Sequence, residues 1–153
     1  MKKRDFIIAG ITMLIMCIPL VIIAKKYQQA VIMQTSAFDW KDIKPKPTKY
    51  GEGRKFFQAP TATLDELECH VTTLNPGLTS HPPHQHPDEE VVIIKEGTLE
   101  AFLNGETKTV GPGSVLFFAA NQLHGVKNIG TKPAIYHVFK WQSSKTGKAM
   151  KAK

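Results

Sequence analysis

With 153 residues, 42% of them hydrophobic and 22% charged, the chain has the length of one ordinary domain and is too short for two. Its formal charge of +7 is concentrated at the ends: residues 1–30 and 145–153 each carry +4, which leaves −1 on residues 31–144. A nearly neutral body with basic ends has no basic face for phosphates, and this excludes nucleic-acid binding.

Phe6 to Ala24 is an apolar run broken only by Gly10, Thr12 and Pro19, with charges on both sides. As a helix it measures about 28 Å, close to the ~30 Å of a hydrocarbon core. One apolar N-terminal helix over residues 1–30 is therefore expected, and two readings of it stay open. As an uncleaved anchor it leaves the basic Met1–Arg4 end in the cytoplasm and the rest outside. As a signal peptide it breaks at Pro19 and is cleaved before Lys25. Lys3-Arg4-Asp5-Phe6 is similar to a twin-arginine export signal with Lys in place of the first Arg. Either reading places the functional part outside the cytoplasm, in the periplasm or anchored facing it, with membrane contact only if the segment is uncleaved.

Residues 31–60 hold Pro45, Pro47, Gly51 and Gly53 among scattered lysines and read as a spacer or N-terminal arm. From residue 61 to 142 the pattern is one of short strands. Leu67–Leu74 ends at the turn Asn75-Pro76-Gly77, and Val91–Lys95 is a compact apolar run. Leu99, Ala101 and Leu103 alternate before Asn104-Gly105, a strong hairpin signal. Further strands are expected at Ser114–Ala119, His124–Asn128 and Ala134–Trp141, and residues 143–153 read as a basic flexible tail. Cys69 is the single cysteine of the globular part, so no disulfide forms within it. Strands at this spacing indicate an all-β antiparallel barrel or sandwich.

Set into these strands are His84, His86, Glu90 and His124. Side chains two apart on an extended strand share a face, so His84 and His86 point the same way and even spacing lets Glu90 join them. Three imidazoles and a carboxylate converging inside a barrel suit a divalent first-row metal: Mn, Fe, Co, Ni, Zn or Cu. Four protein ligands in a six-coordinate site leave two positions open, which favours function over a closed structural site.

The surrounding pattern is ordered. Gly77 precedes His84 by six intervening residues, and Glu90 precedes Gly97 by six. Gly113 is followed after five residues by Ala119-Ala120-Asn121, then His124 and Asn128. This resembles the two motifs of the cupin superfamily, G-x5-HxH-x3-E-x6-G and G-x5-PxG-x2-H-x3-N, joined by the short link of compact bacterial cupins. One extra residue lies in the His81-Pro82-Pro83 turn, and Ala119 and Asn121 replace the family's Pro and Gly. Asn121 can still turn the chain because Asn tolerates left-handed backbone. The resemblance implies a jelly-roll-like cupin β-barrel, a homodimer, and one transition metal on His84, His86, Glu90 and His124.

Beyond the metal, His137, Phe117 and Asn128 are candidate pocket residues, His137 because Ile135, Phe139 and Trp141 share its face. His81 competes with His84 as a ligand candidate, and His70 reads as a wall residue. Glu89 opposes Glu90 in parity and belongs outside. No arginine cluster offers a phosphate clamp, which disfavours phosphorylated-sugar isomerisation. Two functions follow from the resemblance. One is a metal-dependent oxidoreductase or lyase, of dioxygenase, oxidase or decarboxylase type, acting on a small organic acid or phenolic compound. The other is a non-catalytic module that binds or senses a small ligand or metal.

Overall fold

The computed structural model describes residues 32–143. The expected N-terminal helix, Cys17 and the basic tail from residue 144 onward lie outside the described residues. Among the described residues no helix is long and apolar enough to cross a membrane.

Nine strands follow a short 3-10 turn at Trp40–Asp42: β1 (Lys46–Thr48), β2 (Gly51–Ala59), β3 (Glu66–Leu74), β4 (Glu89–Glu96), β5 (Leu99–Leu103), β6 (Glu106–Val110), β7 (Val115–Phe118), β8 (His124–Asn128) and β9 (Ala134–Gln142). They form a six-stranded sheet in the order β1-β2-β3-β9-β4-β7 and a three-stranded sheet in the order β6-β5-β8. Every pairing is antiparallel. One buried cluster takes Leu74, Val92, Ile94, Leu116, Phe118, Tyr136 and Val138 from the larger sheet and Leu99, Ala101, Val110 and Val126 from the smaller. The two sheets therefore bury a shared core, as the alternating pattern of each strand requires.

Local chemistry explains the turns. Asn104 and Gly105 have φ of 51° and 107°, the doubly positive pair a tight hairpin needs, and they join β5 to β6. Asn121 sits at φ 58°, so it makes the left-handed turn that the cupin motif gives to glycine. The extra residue before His84 is absorbed in bends at residues 80–83. There the Thr79 hydroxyl lies 2.6 Å from the His81 carbonyl oxygen and 2.9 Å from that of Val126.

Part of the stretch read as a spacer is sheet. β1 and β2 lie within residues 31–60, and β2 pairs along its whole length with β3. The residues that suggested a linker have other reasons to be there. Pro47 lies in β1, at the sheet edge, where its missing N–H costs no ladder bond. Gly51 packs so close to β3 that a Cβ there would stand 2.1 Å from the Thr73 carbonyl oxygen.

Candidate metal centre and its cavity

Along the inner face of the larger sheet, register sorts the side chains into rungs. Leu74 lies opposite Ala134, and Thr72 opposite Tyr136, which in turn faces Ile94. Next come His70, Val138, Val92 and Leu116. The last rung is Glu68, Lys140, Glu90 and Phe118. Directly opposed residues share a face, so each strand runs from apolar at one end to ionisable at the other. A cavity of about 630 Å³, counting its open mouth, occupies the ionisable end.

Three histidines meet there. His84 and His124 form an isolated antiparallel bridge, and each backbone N–H donates to the other's carbonyl at 2.9 Å. That pairing puts their imidazoles side by side, with ring centroids 4.7 Å apart. His86 joins them at 5.4 Å from His84 and 4.8 Å from His124. It is held by its carbonyl, which accepts from the Asn121 N–H at 2.8 Å. One ligand nitrogen from each of the three lies within 4.8 Å of the other two, so the group can hold a metal ion.

The hydrogen bonds choose the nitrogens. His124 Nδ1 lies 2.8 Å from the Gln122 carbonyl oxygen, so it carries the proton and leaves a lone pair on Nε2. That Nε2 and His84 Nδ1 are both buried and have no hydrogen-bond partner among the described residues. Two buried nitrogens facing no donor are costly in a finished protein, and a metal ion removes the cost. His86 follows the same design, with Nδ1 3.1 Å from the Asp88 carbonyl oxygen. Its Nε2 is 3.3 Å from Glu90 Oε2, which brings the fourth expected ligand beside the cluster. Phe118 stacks on the His124 ring at 4.3 Å and 14°, fixing its plane.

Burial sets the protonation states. It lowers the pKa of His86 and His124 from the usual histidine value, favouring the neutral imidazoles that bind metals. It raises the Glu90 carboxyl to about 7, against the opposing pull of Lys140. His81, whose ring lies 4.2 Å from that of His84, is pushed down to about 4 by burial and by the neighbouring imidazoles.

His81 lines the cavity but stands outside the three-histidine group. Glu89 accepts from Trp141 Nε1 at 3.0 Å, away from the cluster as its parity implied.

The three pocket candidates do not line this cavity. His137 sits on the outer face of β9, 6.5 Å from the Phe56 ring, because Tyr136, Val138 and Lys140 take the inward positions. Phe117 points outward from β7 at 55% exposure, while its neighbour Phe118 points in. Asn128 is fully buried four residues along β8 from His124. Its amide donates to the carbonyls of Leu74 and Lys132, both at 2.8 Å, and its oxygen accepts from the Gly130 N–H at 2.9 Å. With every polar atom engaged, it braces loops and has nothing left for a ligand.

Sequence reasoning missed Lys140, Thr72, Ser80 and Tyr50 as cavity residues, and read His70 only as wall. Lys140 was recoverable, since placing Glu90 inward and pairing β4 with β9 forces Lys140 inward too. It lies 3.3 Å from Asp88 and 3.8 Å from Glu68. Among the described residues no arginine lines the cavity, and the one lysine there is balanced by these two carboxylates.

A cupin domain model matches residues 70–140. Solved structures resemble the chain over most of its length. A cupin of RmlC-like type from Shewanella frigidimarina has a TM-score of 0.60 at 15% identity, covering 74% of this chain and 96% of that one. The polyketide cyclase RemF from Streptomyces resistomycificus gives 0.58 at 22% identity, covering 71% and 80%. A predicted oxalate decarboxylase from Thermotoga maritima gives 0.56 at 17%, covering 70% and 99%. No curated protein matches the chain.

Proposed function

We propose that this chain, a cupin by fold, binds one divalent transition metal on His84, His86, Glu90 and His124. We propose further that it acts outside the cytoplasm as a metal-dependent oxidoreductase or lyase on a small organic acid or phenolic compound. The observation that carries the metal reading is the pair of buried, partnerless nitrogens, His84 Nδ1 and His124 Nε2, within a cluster of three imidazoles. Mixed imidazole and carboxylate donors suit Mn, Fe, Co, Ni, Zn or Cu. Such a metal supplies Lewis acidity or redox chemistry when bound.

The protein's own residues do the rest. Asp88 and Gln122 carbonyls hold His86 and His124 in the ligating tautomer. Phe118, Val92 and Val138 wall the cavity with apolar surface, and Tyr50, Thr72, Ser80, Tyr136 and Lys140 offer polar contacts for a small molecule. The fold neighbours include a polyketide cyclase and a predicted oxalate decarboxylase.

The apolar run Phe6–Ala24 supports an extracytoplasmic location. A homodimer is supported by the apolar outer face of the larger sheet, where Val115 is 62% and Phe117 55% exposed. Metal analysis of protein recovered from its native compartment tests the main reading: about one metal per chain is expected, and a metal-free protein that fails to take up any of the six ions overturns it. Oxygen-consumption and small-acid turnover screens then separate enzyme from module. Turnover lost in His84→Ala with the fold intact marks an enzyme, and tight ligand retention without turnover marks a binding module.

A further inference from the structure

The metal reading leaves unused one ionisable side chain of the cavity wall and the carboxylate behind it. His70 lines the cavity from the middle of β3, and its Nδ1 lies 3.1 Å from Glu68 Oε1. Glu68 is 8% exposed and is held in turn by Lys55 at 3.7 Å and Lys140 at 3.8 Å. A carboxylate fixed from two sides and bonded to one imidazole nitrogen dictates the tautomer: the proton stays on Nδ1 and the lone pair on Nε2. His70 Nε2 has no hydrogen-bond partner among the described residues and, unlike the metal-facing nitrogens, is not sealed in the interior.

We propose that His70 is the acid–base group of this cavity and that Glu68 is its positioning residue. The proposal rests on the reading of the cavity as a chamber for a small acid beside a metal, and adds the proton-transfer group to it. His70 Nε2 takes the proton of an O–H or C–H acid held in the chamber. The bond to hydrogen breaks, its electron pair stays on the substrate atom, and an N–H bond forms. The imidazolium then returns that proton to product or to water, and Glu68 remains a carboxylate throughout.

The groups facing His70 fit this role from each element around it. Glu68 on β3 favours the imidazolium, while Lys140 on β9 and Lys55 on β2 oppose it. Burial outweighs Glu68 and keeps His70 below the usual histidine pKa, so the base form prevails at neutral pH. The charged contacts also run on to the metal cluster, from Glu68 through Lys140 to Asp88 and so to His86 at 3.5 Å.

The test uses the full chain loaded with diamagnetic zinc, ¹⁵N-labelled at histidine, together with Glu68→Gln and Glu68→Asp. In the wild type, His70 should appear at pH 7.5 as the Nδ1–H tautomer, and Glu68→Gln should mix the tautomers while Glu68→Asp restores the single form. Diethyl pyrocarbonate, with modified histidines located by mass spectrometry, should carbethoxylate His70 at least about threefold faster in the wild type than in Glu68→Gln. An Nε2–H tautomer in the wild type, or a His70 inert to the reagent, overturns the proposal. Metal content read on the same samples keeps the two failures apart. Protein that takes up no metal sinks the metal reading while the tautomer and reactivity are still measured. Protein with bound zinc and an inert His70 sinks this inference alone.

Discussion

The same four strands build two unlike ends of one interior. At one end Leu74, Ile94 and Ala134 are almost wholly buried, and the single polar side chain among them, Asn128, has every atom bonded. At the other end, four to six residues further along the strands, Glu68, His70, Glu90 and Lys140 gather beside three histidines. The apolar end gains free energy from burial, roughly 25 cal/mol per Å² of apolar surface removed from water. The ionisable end works against folding, since buried carboxyls and imidazoles resist charging. Stability and chemistry are thus divided by position along a strand rather than by separate elements.

Substitutions at the two ends should dissociate. Ile94→Ala, which empties a fully buried site, should cost about 2–5 kcal/mol in urea unfolding yet leave metal affinity of the folded fraction unchanged. His124→Ala should do the reverse, lowering affinity more than about 100-fold in a competition titration while the metal-free protein melts within a few degrees of wild type. Equal loss of both properties in either variant would erase the division.

The pH response of the ionisable end comes next in size. Folding raises the Glu90 carboxyl from its ordinary value of 4.5 to about 7, so the folded state favours the neutral form. Its contribution to metal-free stability is complete below pH 4.5 and lost as pH rises through about 7, a change on the order of 3 kcal/mol. His86 and His124 act oppositely, destabilising the fold as pH falls below 6.5. Subtracting a Glu90→Gln unfolding series from wild type isolates the carboxyl, and a flat difference between pH 4.5 and 7.5 would remove burial as its controlling influence. Metal should bind more weakly below about pH 7, because it requires the carboxylate.

Smaller effects sharpen the boundary. Asn128→Ala strips the donors from the Leu74 and Lys132 carbonyls and should cost about 1–3 kcal/mol of stability with no change in metal content. His137→Ala, on the outer face, should leave metal affinity within twofold. A larger loss would return His137 to the site.

Much of this was legible from residues alone where one local rule governed. Asn104-Gly105 and Asn121 were readable because few residues accept positive φ, and β8 was readable from His124 to Asn128 because turns bracket it. The histidine cluster was legible from spacing within the motif. The face of β9 was not, because both faces carry apolar residues: Tyr136 and Val138 inward, Ile135, Phe139 and Trp141 outward. Apolar content then cannot decide parity, and only the register with Glu90 does. β1 and β2 were hidden for a related reason, since edge prolines and close-packed glycines look the same in sequence as those of a linker.

The reciprocal backbone bonds between His84 and His124 have a consequence for biosynthesis. These two residues are forty positions apart, and of the three clustered imidazoles only those of His84 and His86 precede residue 124. A nascent chain that has not yet yielded residue 124 carries at most an incomplete chelator, so loading must wait until the late strands have docked. For the proposed metal site, maturation would therefore be ordered, with polypeptide closure first and ion capture second, and whichever compartment hosts that closure would determine which ion is on offer.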